Sequence, residues 1–226
     1  IESKTVFEIH PPLARLLFTK AASIVPFHAT ILPLPLKANA SFGDFPYIAV
    51  RLFVAFFGVL LPLLLYATGR LSGYMPRIAM IPALFVIFDN AFIVYSRLIL
   101  PDTILLFFGL LGFMAALLAA KSGAGKGWFF VILAGCALGL AVATKWTALG
   151  LFSVVIIVFF LARMYREIIV CALLVGIVYA AVFVPFLSYF PQGGKIDPVF
   201  SIYNVPWITE LEFPKTHDPK TIASFL

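Results

Sequence analysis

Six apolar runs, at about residues 47–69, 77–95, 103–120, 128–144, 147–162 and 168–190, constrain this chain more than any other feature. The hydrocarbon core of a bilayer requires about 20 such residues of a crossing helix. It also requires every backbone polar group to be hydrogen-bonded within the segment. Short pieces join the runs: RLSGYMPR, SRLILPD, KSGAGKG, KWT and RMYRE. Composition agrees, at 63% hydrophobic and 12% charged, where a soluble domain carries roughly 25% charge. A large soluble core is excluded. The fold class expected is an all-α polytopic membrane protein with about six transmembrane helices.

The remaining segments flank this bundle. Residues 11–25 place Leu13, Leu16, Leu17, Ile24 and neighbouring alanines at helical spacing, with Arg15 and Thr19 off that stripe. Pro11 and Pro12 suit a first turn. A short amphipathic helix is predicted, lying on the membrane surface or packed as a loop helix. Residues 26–46 and the proline-rich tail 191–226 read as loop. The organisation expected is an external loop with its helix over 1–46, a helical bundle over 47–190 and a second external loop over 191–226. One long helix through 128–162 would bury Lys145 near its middle, so a hairpin turning at Lys145 is expected. Cys136 and Cys171 sit inside apolar runs, as packing residues do. The chain opens on Ile1-Glu2-Ser3-Lys4 and stops at Leu226, and both ends are expected to be cut points in a longer protein.

Charge then orients the bundle. Alternate connections share a side. One set holds Arg70, Arg77, Lys121, Lys126, Arg163 and Arg166, and the other only Arg97 and Lys145, with Arg51 near the first span. The excess of Lys and Arg marks the cytoplasmic side. The net charge of +6 is thus a matter of placement, and no nucleic-acid partner is expected.

The opposite face gathers the unusual residues: Glu8, His10, Asp89, Asn90, Ser96, Arg97, Asp102, Lys145, Trp146, Trp207 and His217. An ionisable group at membrane depth costs about 3 kcal/mol unless paired or wet, so such groups are candidate functional residues. Asp89 reads either as functional or as a salt-bridge partner of Arg97. Arg97 and Asp102 read either as functional or as an interfacial pair. Arg97 and Lys145 together suggest an anion site, because Arg offers a planar fork to phosphate oxygens and Lys a point charge. A lipid phosphate is the natural anion at that depth. Trp146 suits stacking or interfacial anchoring. No set of His, Asp and Glu has metal spacing, so no metal is expected. Asn39-Ala40-Ser41 matches a glycosylation acceptor triplet.

Three of these stretches resemble one family. His10-Pro11-Pro12-Leu13-Ala14-Arg15 is similar to the HPPLGK motif of protein O-mannosyltransferases, and Glu8 falls where that family commonly has Asp. Asp89-Asn90, followed by Ser96-Arg97-Leu98-Ile99-Leu100-Pro101-Asp102, resembles its (D/E)N…SRxxLLD stretch. Gly139 to Gly150 (GLAVATKWTALG) resembles GLALSxKWxGL. Ala14, Arg15 and Pro101 depart from the pattern. The resemblance implies a C-type glycosyltransferase fold and inverting transfer of mannose. The donor implied is a polyprenyl or dolichyl phosphate, and the acceptors are Ser or Thr hydroxyls of exported proteins. No cofactor is implied. With that donor, the anion site read from the residues makes Arg97 and Lys145 the expected donor-phosphate ligands, with Glu8, His10, Asp89, Asn90, Asp102 and Trp146 in support. The family's acidic Asp-Glu pair, the expected carboxylate base, precedes HPPL, so it is expected upstream of Ile1 together with an N-terminal span. The family often pairs its members, so a dimer is carried as an expectation. Short loops suggest a bacterial or archaeal plasma membrane, with the endoplasmic reticulum as the eukaryotic counterpart. A sibling lipid-linked sugar transferase acting on lipid A or a glycan stays open. So does a transporter, against which stand charges gathered at one interface and no visible repeat.

Overall fold

Each apolar run becomes helix, and the breaks fall where capping or turn chemistry stops it. A computed structural model describes residues 11–25 and 46–188, with side chains to 185. Its helices are α1 (Leu13–Ala22), α2 (Tyr47–Leu71), α3 (Pro76–Phe88), α4 (Asn90–Arg97), α5 (Asp102–Ser122), α6 (Trp128–Thr144), α7 (Leu149–Leu161) and α8 (Tyr165–Ser188). A 3₁₀ turn, Trp146–Ala148, precedes α7. The hairpin expected at Lys145 is present, because α6 stops at Thr144 and Lys145 is extended. Gly73, at φ +93°, ends α2. The Tyr74 N–H closes back on the Gly69 carbonyl at 3.2 Å, the left-handed glycine stop of a helix C-terminus.

The run 77–95, expected as one helix, is two. α3 and α4 meet at Asp89 with a bend of 60°. The carboxylate explains the break. Asp89 Oδ1 accepts the N–H of Ala91 at 2.7 Å and of Phe92 at 3.2 Å, satisfying donors that a new helix start leaves open. Asp89 is thus a cap and not the salt-bridge partner of Arg97. Replacing Asp89 with Ala should cost about 1 kcal/mol of stability. Thermal unfolding in detergent measures it, and Asp89→Asn, which keeps an accepting oxygen, should lose less.

Close packing needs small residues, because lipid tails give apolar helices no hydrophobic reason to associate. α5, α6 and α8 form the centre. α5 and α6 run antiparallel with Gly112 against Leu138, and α6 and α8 run parallel with Gly135 against Leu174 and Gly139 against Val178. Ala115, Ala116 and Ala119 of α5 and Ala134 and Ala141 of α6 are wholly buried. α7 lies along α5, where Leu151 fills the space left by Gly109, and buries Val155 and Phe159. α2 joins the bundle through Phe57, whose ring meets Phe107 and Phe108 of α5 at 5.0 and 5.9 Å.

α1 docks on α2 and α6. It buries Leu13, Ala14, Ala21 and Ala22, with Ala21 and Ala22 against Val50. Of the two readings left open, these contacts match the packed helix. The buried face keeps Leu13 and the alanines of the expected stripe, while Ile24 lies beyond the helix and is exposed. The small alanines are what allow α1 to approach α2.

Three helices, α2, α5 and α8, are long and apolar enough to cross a membrane, and the bent pair α3–α4 makes a fourth if taken as one span. α6 and the stretch Trp146–Leu161 are apolar but shorter. The expected six therefore divide into three full-length spans, one bent span and two short helices. α6 can be short because protein shields it, ten of its 17 residues being buried. This is a multi-pass helical membrane protein. The connections after α2, α5 and α7 gather at one end, here called the Gly125 end. The α4–α5 connection and the Lys145 turn lie at the other, the Lys145 end.

Candidate functional site

The site grows from the end of α6. Thr144 is buried, and its hydroxyl donates back to the Leu140 carbonyl at 2.9 Å. Lys145 then adopts φ −161°, ψ 134°, extended backbone that carries its side chain off the helix. Its Nζ meets Oδ1 of Asp102, the first residue of α5, at 2.9 Å. The two side chains are 25% and 34% exposed. A pair in so wet a setting contributes about 1 kcal/mol at most, so its chief effect is to fix where the amine stands. Asp102 in turn sits at a helix N-terminus, which favours negative charge. One ammonium hydrogen is committed to Asp102, and Lys145 keeps donors for a second acceptor.

Trp146 follows. Its indole N–H donates to the Tyr179 hydroxyl of α8 at 3.0 Å, while the residue stays 56% exposed. The polar edge is held and a ring face remains accessible. Tyr179 packs on Phe183 with ring centres 5.1 Å apart. Sequence reasoning missed Tyr179. The signal was present, a tyrosine hydroxyl in the middle of the last apolar run, but only the packing of α8 along α6 brings it to Trp146.

Arg97 is the last residue of α4 and is exposed. Among the described residues it forms no ion pair, since the sole pair found there is Lys145–Asp102. The expected alternative, an Arg97–Asp102 pair, is therefore not what the structure shows. Physically, Asp102 faces the Lys145 turn across the α5–α6 seam. α4 reaches this end because Gly58 of α2 leaves room for Ser96. Asn90 is exposed as the first residue of α4, beside the capping Asp89. Glu8, His10, Trp207, His217 and the Asn39 triplet lie outside the described residues. Among the described residues no group of three His, Cys, Asp or Glu is placed to hold a metal. The geometry thus joins Asp102, Lys145, Trp146 and Tyr179 directly, with Arg97 four residues before Pro101 on the connection into α5.

Comparison with known proteins adds to this geometry. The profile of the family described as dolichyl-phosphate-mannose-protein mannosyltransferase matches residues 1–193. Dolichyl-phosphate-mannose–protein mannosyltransferase 1 of Candida albicans is 38% identical over 158 residues, covering 65% of this chain and 17% of that protein. The Schizosaccharomyces pombe protein of the same name is 33% identical over 159 residues, covering 68% of this chain and 18% of that protein. The chain thus spans less than a fifth of the length of these curated relatives. A solved structure, the Saccharomyces cerevisiae protein O-mannosyltransferase Pmt1-Pmt2 complex bound to the sugar donor, superposes with a TM-score of 0.62 at 23% identity, over 90% of this chain and 28% of that one. The likeness is one of fold, and it agrees with the all-α C-type glycosyltransferase architecture. These relatives are yeast proteins, so the bacterial or archaeal membrane expected from short loops gains no support. Loop length follows from helix packing, which is the same in either membrane.

Proposed function

From the premise that the chain belongs to the dolichyl-phosphate-mannose-protein mannosyltransferase family, we propose that its Lys145 end is the donor-phosphate side of a mannosyltransferase. The full-length enzyme transfers mannose from a dolichyl or polyprenyl phosphate to Ser or Thr hydroxyls of exported proteins, with inversion. It does so at the non-cytoplasmic face, in the endoplasmic reticulum membrane. The observation that carries the reading is the Lys145–Asp102 pair at 2.9 Å, which pins an ammonium at the end of the bundle where Arg97 also stands.

The chemistry follows from what leaves. Attack of the acceptor oxygen on the anomeric carbon breaks its bond to the phosphate oxygen, and the departing lipid phosphate gains negative charge. Fixed positive charge at that point lowers the barrier. Arg97 supplies a guanidinium fork and Lys145 an ammonium whose position Asp102 holds. The acceptor's proton goes to a carboxylate base, assigned by family resemblance to a part of the enzyme preceding these residues. Trp146, braced by Tyr179, offers its ring to the sugar or to the first prenyl unit. The resemblance gives Glu8 and His10 a supporting role, and Asp89 and Asn90 form the α3–α4 bend that sets where α4 begins.

A charge-removal series tests the pair in the full-length enzyme. Lys145→Met should slow mannosyl transfer from dolichyl-phosphate-mannose by at least about tenfold. The variant Lys145→Met/Asp102→Asn should stay slow, because the amine is what the phosphate meets. Recovery of wild-type transfer in that double variant would show a structural strut and overturn the assignment.

A further inference from the structure

The Gly125 end carries a second constellation that the transfer reaction does not use. Gly125 in the α5–α6 loop adopts φ +77°, and its N–H donates to Oε1 of Glu167 at 2.7 Å. That bond clamps the loop to the first turn of α8. Glu167 is 4% exposed, so the carboxylate at this end is turned inward and spent on backbone. Around the clamp stand four exposed cations: Lys126 beside Gly125, Arg166 beside Glu167, Arg163 in the α7–α8 turn and Lys121 in the last turn of α5. None of them forms an ion pair among the described residues.

Two further features point the same way. α6 begins at this end with no side-chain cap and no acid in its first turn. That first turn therefore carries no negative charge to repel an anion. Trp128 and Tyr165, both exposed, begin α6 and α8, and such rings settle at headgroup level. The cations therefore stand at the depth of lipid phosphates.

We propose that the Gly125 end binds the headgroup of an anionic phospholipid. The phosphate sits among the exposed cations Lys126, Arg163, Arg166 and Lys121. Glu167 positions the loop and does not touch the lipid. The lipid belongs to the cytoplasmic leaflet, where the excess of Lys and Arg places this end. Each cation near such a surface gives roughly a fivefold preference.

The test measures lipid that co-purifies with the full-length protein from membranes of phosphatidylcholine and phosphatidylserine. The wild type should enrich phosphatidylserine by about tenfold or more over the bulk mixture, and high salt should reduce that enrichment. The variant Lys121→Gln/Lys126→Gln/Arg163→Gln/Arg166→Gln should bring it close to the bulk ratio. Should four changes disturb insertion, Lys126→Gln/Arg166→Gln, which leaves two cations, should fall between. No enrichment in the wild type, or enrichment unchanged in the variants, would overturn the proposal. Neither result bears on mannosyl transfer, because no residue of the Lys145 end is altered.

Discussion

Arg97→Ala in the full-length enzyme should lower kcat/KM for mannosyl transfer by about 10²- to 10³-fold, the loss that follows removal of one fixed donor from a developing anion. Arg97 is exposed and has no carboxylate partner among the described residues. Its loss therefore leaves no buried charge stranded, and folding should be little affected. Lys145 already shares its charge with Asp102, so Arg97 is the larger contributor of unshared positive potential. Arg97→Lys should recover only part of the rate, because an ammonium lacks the planar fork. Transfer kinetics with dolichyl-phosphate-mannose and a Ser/Thr peptide, on protein shown to reside in the membrane, decide it. Wild-type kinetics in Arg97→Ala would remove Arg97 from the site.

The largest effect on stability should come from Gly139→Leu. A β-carbon there would stand 2.7 Å from Val178 Cβ and 3.2 Å from the Val175 carbonyl oxygen. The second neighbour is backbone, so no rotamer change relieves the clash, and α6 and α8 must part. Overpacking of this kind costs about 1–3 kcal/mol, and here it opens the seam that ends in the Trp146–Tyr179 bond. The variant should unfold several degrees lower in detergent and should also lose activity, because the Lys145 turn begins six residues on. Gly176→Ala is the control. It lies on the same α8 with nothing within 4 Å of an added β-carbon, so it should be neutral or slightly stabilising. Equal melting of the two variants would mean that the α6–α8 contact is not what holds the bundle.

Much of this was legible from residues alone, for identifiable reasons. Apolar runs above a certain length have one solution in a bilayer, so the helical class followed from the runs themselves. The break at Lys145 was readable because a long helix would have buried an ammonium. The break at Asp89 was not, because an acid inside an apolar run reads equally as a charge to be paired and as a cap. Which it is depends on whether the N–H groups of Ala91 and Phe92 are free, and only the bend frees them. α1 was placed as a helix with Leu13 and neighbouring alanines on its apolar stripe, and only Ile24 was misjudged, because the helix ends at Ala22 before reaching it.

The motifs around Arg97, Asp102 and Lys145 marked a candidate anion site at one end of the bundle, and the sequence by itself could go that far. It determined helix, membrane and the end at which rare charges collect, because each is a local property of composition and order. The tertiary structure alone decided partnership. Residues 43 apart in the chain meet as Asp102 and Lys145, and residues 33 apart meet as Trp146 and Tyr179. Those contacts exist because glycines and alanines let α5, α6 and α8 close to within a few ångströms, and helix approach is a property of two surfaces at once.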